Sequence, residues 1–219
     1  MPHMLVLVPT DLERRRLAPA LGGGVSIELC GFGPVAAAAR AAGLIANHRP
    51  DRVLLVGIAG RLDDRVPIGS ACRFSEVACH GIGAGSGVDF RTAGSIGWPQ
   101  WPGEPGAADQ TIGDLIRLET SPLPGDPSAG LLLTVCAASA TAADVALRRA
   151  AFPAATAEDM EGFGVAVACR LARIPLEIVR GISNAAGDRD KACWAIEPAL
   201  AAAAALAKAV LAAPPEALR

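Results

Sequence analysis

Residues 157–191 place three carboxylates in four positions, Glu158, Asp159 and Glu161, around a single Met160. A small-residue run and a short apolar run follow, and then a second polar group: Ser183, Asn184, Asp188, Arg189 and Asp190. Carboxylates accept hydrogen bonds from hydroxyls and amines, while hydroxyl and amide side chains both donate and accept. Read locally, the acids open a helix, and the second group lies in a glycine-containing loop at the carboxyl end of a strand over 176–179. Both are places where α/β proteins seat ligands. A charged helix start followed by a solvated loop is the plainer reading of the same pattern, and pattern alone does not choose between them. A further acidic group lies near the start. Thr10 precedes a helix with Asp11 at its first position, and Glu13 follows three residues after Thr10, the spacing of a reciprocal capping box.

The elements that must position these groups alternate in kind. The apolar run 4–8 ends at Pro9 and reads as a buried first strand. Leu12, Leu17 and Leu21 recur at helical period before Gly22 to Gly24 stop that helix. Residues 25–29 read as a second strand. Gly31-Phe32-Gly33-Pro34-Val35 then lead into an alanine-rich helix over 36–47; glycines so placed allow a tight strand-to-helix turn, but with Ala36 the dinucleotide fingerprint is incomplete. The strand over 52–58, ending in Ala59-Gly60, is the strongest in the chain. Strand-like segments over 67–77 precede an irregular, Gly-, Pro- and Trp-rich excursion over 79–110, of a kind that serves as a lid or an interface. A strand over 131–135, a helix over 142–151 stopped at Phe152-Pro153, and a C-terminal helix over 197–213 closed by Pro214-Pro215 complete the series. Apolar strands alternating with helices predict one α/β domain over 1–219 with a covered sheet.

Composition narrows the function. The chain has 219 residues, 52% hydrophobic and 19% charged, with a formal net charge of −2, so a large core is expected and a basic face for nucleic acid or anionic membrane is not. The six cysteines form no CxxC pair, and four lie in apolar or small-residue runs. That usage predicts neither a metal site nor a disulfide framework, and fits a reducing compartment. The first residues lack the basic start of a signal peptide, and the longest apolar tracts are short for a membrane span. A soluble cytoplasmic protein is expected, with neither nucleic acid nor membrane as a partner.

Four pieces read together name a family: VPTDLE near the start, GFGPVAAAA, VGIAG, and EDMEG followed, 23 residues after Glu161, by Asn184 in VRGISN. The chain resembles the nucleoside phosphorylase/hydrolase superfamily over nearly its whole length. Within it the chain is similar to the nucleosidases that cleave methylthioadenosine and S-adenosylhomocysteine, and more closely to the futalosine hydrolases of menaquinone biosynthesis. The DMEG helix and its spacing to RGISN are the specific parts. The resemblance implies a single α/β domain with a central mixed, partly barrel-like sheet flanked by helices. It also implies cleavage of the N-glycosidic bond between ribose C1′ and a purine, no cofactor, a nucleoside as the small-molecule partner, and a homo-oligomer.

The same resemblance distributes roles among the residues. Cleavage passes through an oxocarbenium-like state, so the enzyme must fix the ribose, deliver a nucleophile to C1′ and stabilise the departing base. Glu161 matches the ribose-binding glutamate; Met160 resembles the apolar residue against the sugar face, and Asp159 accompanies them as a substrate-binding candidate. Glu13 matches the water-activating glutamate, in competition with its capping role, and Asp11 is the fallback. Ile58, Ala59 and Gly60 supply backbone around the water, and Ser139 falls where the base pocket begins. Asn184 stands where the adenine-releasing relatives carry an aspartic acid that protonates N7 of the base. An amide delivers no proton but can hydrogen-bond N7 or O6, which resembles enzymes of 6-oxopurines; futalosine carries hypoxanthine. Arg189 would suit the carboxylate of a benzoate, against a plain Asp188–Arg189 surface pair. The alternatives are a phosphorylase, a methylthioadenosine/S-adenosylhomocysteine nucleosidase, and a non-catalytic nucleoside-binding module. A phosphate needs convergent donors, whereas GFGPV offers no basic side chain, Pro34 removes an N–H, and Arg14 to Arg16 read as a solvated face.

Overall fold

A computed structural model describes residues 3–213 apart from 23, 108–109, 121–122, 124 and 126–127. The expected Pro214-Pro215 stop therefore lies outside the described residues, as do Gly23 in the first helix stop and two positions of the excursion. The chain begins with strand β1 (Met4–Val8), helix α1 (Asp11–Leu21), strand β2 (Ser26–Leu29), helix α2 (Pro34–His48) and strand β3 (Arg52–Arg61). Strands β4 (Ala71–Arg73), β5 (Glu76–His80), β6 (Gly83–Ala84), β7 (Arg91–Thr92), β8 (Leu115–Arg117) and β9 (Leu131–Val135) follow. Helix α3 (Ala142–Ala151), strand β10 (Ala155–Asp159), helix α4 (Gly162–Ala172), strand β11 (Leu176–Ala185) and helix α5 (Ile196–Ala212) end the chain.

The architecture is α/β with one mixed central sheet in the order β2-β1-β3-β10-β9-β5-β8, and β11 and β4 joined beyond β3. Strand β3 is its hub. Along one edge β11 runs parallel to it from Val53 to Arg61. The other edge is shared: β1 pairs in parallel with Arg52 to Leu55, and β10 pairs antiparallel with Gly60 and Arg61. Between those two neighbours no strand among the described residues pairs with β3 from Val56 to Ala59, and the sheet opens there.

Alternation along β1 explains the layers. Leu5 and Leu7 pack with Ala37, Ala41 and Leu44 of α2 and Phe163 and Val165 of α4. Val6 and Val8 face the opposite way, against Leu17 of α1 and Leu200, Ala203 and Ala207 of α5. A strand with helices on both faces can be apolar throughout, as β1 is and as β3 is between its terminal arginines. A smaller cluster under α3 gathers Leu131, Leu133 and Val135 of β9. Small side chains let the helices approach closely: a Cβ on Gly164 of α4 would collide with the Pro34 carbonyl of α2.

Several boundaries differ from the sequence expectation, in one direction. Glu158 and Asp159 end strand β10 and do not open a helix; only Glu161 touches α4, as its N-cap. Ser183 and Asn184 lie on β11, which runs six residues past the expected end, and β3 likewise continues through Ala59 and Gly60. Polar residues near strand ends look like loop when read singly, but here pairing between β3 and β11 carries both strands on together. Within the excursion, β6 and β7 form a two-stranded antiparallel ribbon with single turns of 3₁₀ helix beside it, so that segment is less irregular than its composition implies. No helix among the described residues is long and apolar enough to cross a membrane.

Candidate active site

A cavity of about 500 Å³ opens where the sheet splits, at the carboxyl ends of β1, β3, β9 and β11 and beside β10. Glu13, Ile58, Ala59, Gly60, Ser139, Asp159, Met160, Glu161 and Asn184 all line it. The structure thus brings these nine sequence candidates to one place. Asp11 does not join them: it pairs with Arg14 and Arg15 on the surface, and Arg16 pairs with Glu197.

Glu13 is buried, and its two oxygens do different work. Oε2 accepts from Thr10 N–H at 3.0 Å and from Thr10 Oγ1 at 2.5 Å, closing the capping box. Oε1 accepts from Ile58 N–H at 3.0 Å. That N–H lies where β3 has no neighbouring strand, so the carboxylate satisfies a donor that the sheet leaves open. The capping and site roles, competitors in the sequence, are met by one side chain with an oxygen for each.

Beside it lies a group that the sequence reading passed over. Arg180, on β11, is fully buried and donates through Nη2 to Asp159 Oδ2 and, at 3.3 Å, to Glu161 Oε2. Its Nε and Nη1 have no hydrogen-bond partner among the described residues. Burial alone would lower the Arg180 pKa, but the charges of Asp159, Glu161 and Glu13 raise it above the ordinary arginine value. Gly57 makes room for this pairing, because a Cβ there would collide with Arg180 Nη1 and lie 2.7 Å from Glu13 Oε1. An arginine in the interior of an apolar strand was the available signal, since buried arginines are rarely left without acidic partners.

The acids around Arg180 are not equivalent. Asp159 accepts three hydrogen bonds, from Thr134 Oγ1 at 2.6 Å and from Gly162 N–H at 2.8 Å besides Arg180. It holds the arginine and the β10–α4 turn. Glu161 is less engaged: Oε1 accepts from Gly33 N–H at 3.2 Å, at the start of α2. Gly33 has φ +86, a left-handed conformation that glycine adopts without strain, and its N–H is directed at Glu161. Burial pushes the Glu161 carboxyl up to about 7; Asp159 and Glu13 add to the rise, and Arg180 and Gly33 N–H oppose it.

Two ends flank this centre. Asn184 donates through Nδ2 to Ala185 O at 2.8 Å and, weakly, to Asp188 O at 3.5 Å, while its Oδ1 lies 2.8 Å from Ser183 Oγ. Ser139 and Glu158 form the wall beneath α3. Leu12, Phe32, Trp194 and Ile196 line the end toward α1 and α5, with Arg189 and Lys191. Arg189 does not pair with Asp188; its guanidinium lies 5.2 Å from the Trp194 ring centroid.

Residues 12–213 match the family described as the phosphorylase superfamily. The chain is 34% identical over 222 residues to futalosine hydrolase of Streptomyces coelicolor, covering 91% of each. It is 32% identical over 184 residues to 5′-methylthioadenosine/S-adenosylhomocysteine nucleosidase of Colwellia psychrerythraea, covering 76% of this chain and 69% of that one. Among solved structures it matches the corresponding nucleosidase of Neisseria meningitidis in complex with methylthio-immucillin-A, at TM-score 0.75 and 19% identity, covering 96% of this chain and 99% of that one. Native futalosine hydrolase of Helicobacter pylori matches at TM-score 0.74 and 16% identity, over 95% of this chain and 96% of the other. At those identities the two structural likenesses speak for the fold.

Proposed function

The chain belongs to the phosphorylase superfamily, and from that premise we propose that it is a nucleosidase: it hydrolyses the N-glycosidic bond of futalosine and releases hypoxanthine, in menaquinone biosynthesis. The observation that carries hydrolysis over phosphorolysis is the use made of the glycine turn. Gly33 N–H, a donor that a phosphate could take, goes to Glu161 Oε1, and the space beside Arg180 Nη1 is bounded by the Glu13 carboxylate. A phosphate would meet two acids there, whereas water finds an acceptor in Glu13.

In this reading the ribose lies over Met160 with its vicinal hydroxyls on Glu161. Water sits at Glu13 Oε1, with the buried Nη1 of Arg180, unpartnered among the described residues, behind that carboxylate. As the C1′–N9 bond breaks and its electron pair passes to the base, the water oxygen attacks C1′ and Glu13 takes the proton; the base leaves as its anion and becomes hypoxanthine on taking a proton from solvent, to which Glu13 returns the one it took. Arg180 opposes the negative charge of the two glutamates across this space, in a buried setting where such interactions are strong. The departing base is met by Asn184, whose 3.5 Å contact to Asp188 O is weak enough to exchange for N7 or O6. At the other end Arg189 and Lys191, neither of them ion-paired to a described residue, suit a carboxylate on the far side of the sugar, with Trp194 as the flat surface for an aromatic ring. That end favours futalosine over an unsubstituted 6-oxopurine nucleoside. The family's homo-oligomeric state and a cytoplasmic setting accompany the proposal.

The test follows base release from futalosine, inosine and methylthioadenosine, each with and without phosphate. Futalosine should be cleaved fastest and independently of phosphate, and Arg189→Ala should raise its KM while leaving that for inosine unchanged. Strict phosphate dependence, or a preference for methylthioadenosine, would overturn the assignment.

A further inference from the structure

A second cavity, of about 550 Å³, lies at the other end of α4 and shares no lining residue with the first. One wall is β8 with the residues just after it, Ile116 to Glu119; the other is the last turns of α4 and the chain leading into β11. Strand β8 ends the sheet order, and on its outer side no described strand pairs with it. The floor is apolar, since Ile116, Cys169 and Leu176 are all buried. Glu161 caps the far end of α4, eleven residues or roughly 16 Å away, so a molecule held here leaves the nucleoside cavity open.

Three arginines, Arg117, Arg170 and Arg173, stand around this floor against one acid, Glu119. The chain as a whole carries a formal net charge of −2, so the cavity departs in sign from the rest of the molecule. Arg170 already has an interaction of its own. Arg117 pairs with Glu76 at 3.5 Å, but its side chain is 87% exposed, and a contact of that kind is worth little and exchanges readily. Arg173 makes no ion pair with a described residue. The plainer use for Arg173 would be to close α4, yet the backbone does this already. The Arg170 carbonyl accepts from Arg173 N–H at 3.2 Å, and the Cys169 carbonyl from Ile174 N–H at 2.9 Å. Arg173 also has φ 57, the left-handed position after a helix that glycine fills most easily. A guanidinium is therefore kept beside the cavity against the backbone preference.

We propose that this cavity is a binding site for a small organic anion, with a carboxylate or phosphate head on Arg117 and Arg173 and an apolar body over Ile116, Cys169 and Leu176. A guanidinium presents two parallel N–H groups that match either head, and Gln110, which also lines the cavity, adds an amide donor. A volume of about 550 Å³ is that of a small-molecule site. Binding here does not depend on the nucleosidase reading.

An amide-resolved NMR titration of the whole chain at low salt, with benzoate, phenyl phosphate, benzyl alcohol and acetate, tests this. Benzoate or phenyl phosphate should shift Leu118, Cys169 and Ile174 saturably, and the tighter of the two identifies the head. Benzyl alcohol keeps the ring without the charge, and acetate keeps the charge without the ring; each should bind at least about tenfold more weakly than that ligand. Arg173→Gln should weaken the tighter ligand at least about tenfold, as loss of a charge-assisted hydrogen bond does, and Arg173→Lys should weaken it less. The unaltered protein carries the test even where a variant does not fold. Shifts confined to the nucleoside cavity, or no saturation at Cys169 and Ile174 with either anion, overturn the proposal. So does binding of benzyl alcohol or acetate as tight as that of the aromatic anions, or an unchanged affinity in a folded Arg173→Gln.

Discussion

Replacing Glu161 with glutamine should change how the stability of this protein depends on pH. Burial holds the Glu161 carboxyl at about 7 in the folded protein, against an ordinary value of 4.5. Between those two values the folded chain binds a proton that the unfolded chain has lost, so stability falls as pH rises. The contribution is complete below the unfolded value and is lost as pH rises through the folded one. A gap of about 2.5 at 1.36 kcal/mol per unit gives about 3 kcal/mol in all, of which about 2.5 kcal/mol falls between about pH 5 and about pH 8.5. Glutamine keeps the acceptor for Gly33 N–H but cannot titrate. Urea unfolding of both proteins at the two pH values measures the difference directly, because titrations elsewhere cancel between them. The unaltered protein should lose about 2.5 kcal/mol more than Glu161→Gln on going to the higher pH. If both lose the same amount, the carboxyl is already ionised at about pH 5 and Arg180 outweighs burial there. A larger loss in the variant would reverse the sign and refute the reasoning.

Three further perturbations separate the parts of the centre. Glu13→Gln keeps one acceptor oxygen, for Ile58 N–H or for Thr10 N–H but not for both, so unfolding experiments should show a loss of about 1–3 kcal/mol, while single-turnover hydrolysis falls by about 10²- to 10⁴-fold, the usual worth of a general base, with nucleoside binding intact. Gly57→Ala places a Cβ against Arg180 Nη1 and Glu13 Oε1; turnover should fall at least about tenfold and stability by about 1–3 kcal/mol, as overpacking does. Arg180→Met removes the cation between Asp159 and Glu161, and denaturant unfolding near neutral pH should show a loss of about 3–5 kcal/mol, as when one partner of a buried ion pair is deleted.

Local pattern determined a good deal. Apolar runs marked β1 and β9 to the residue, Thr10 and Glu13 announced the first helix cap, and the alternation of strands and helices specified an α/β fold with a covered sheet. The spacing of the EDMEG and RGISN motifs was enough to indicate the family, because a strand, a turn and a helix of fixed length connect them. Partnership across the chain is what sequence could not decide. Whether Ser183 and Asn184 belong to strand or loop depends on β3 continuing beside them, and β3 continues because β10 takes over the edge that β1 leaves. The gap between those two neighbours frees Ile58 N–H and thereby gives Glu13 a second bond, turning a helix cap into a cavity group. Arg180 drew no notice in an apolar strand, and its place follows from the three acids of two distant segments around it. Glu158 looked like one of a helix's opening acids until it proved to end a strand, tied to Ser139 and Arg148. Periodicity is a property of neighbours in sequence, and so it reaches the elements. Charge compensation, register and the open edge of a strand are properties of neighbours in space, and only the folded chain decides them.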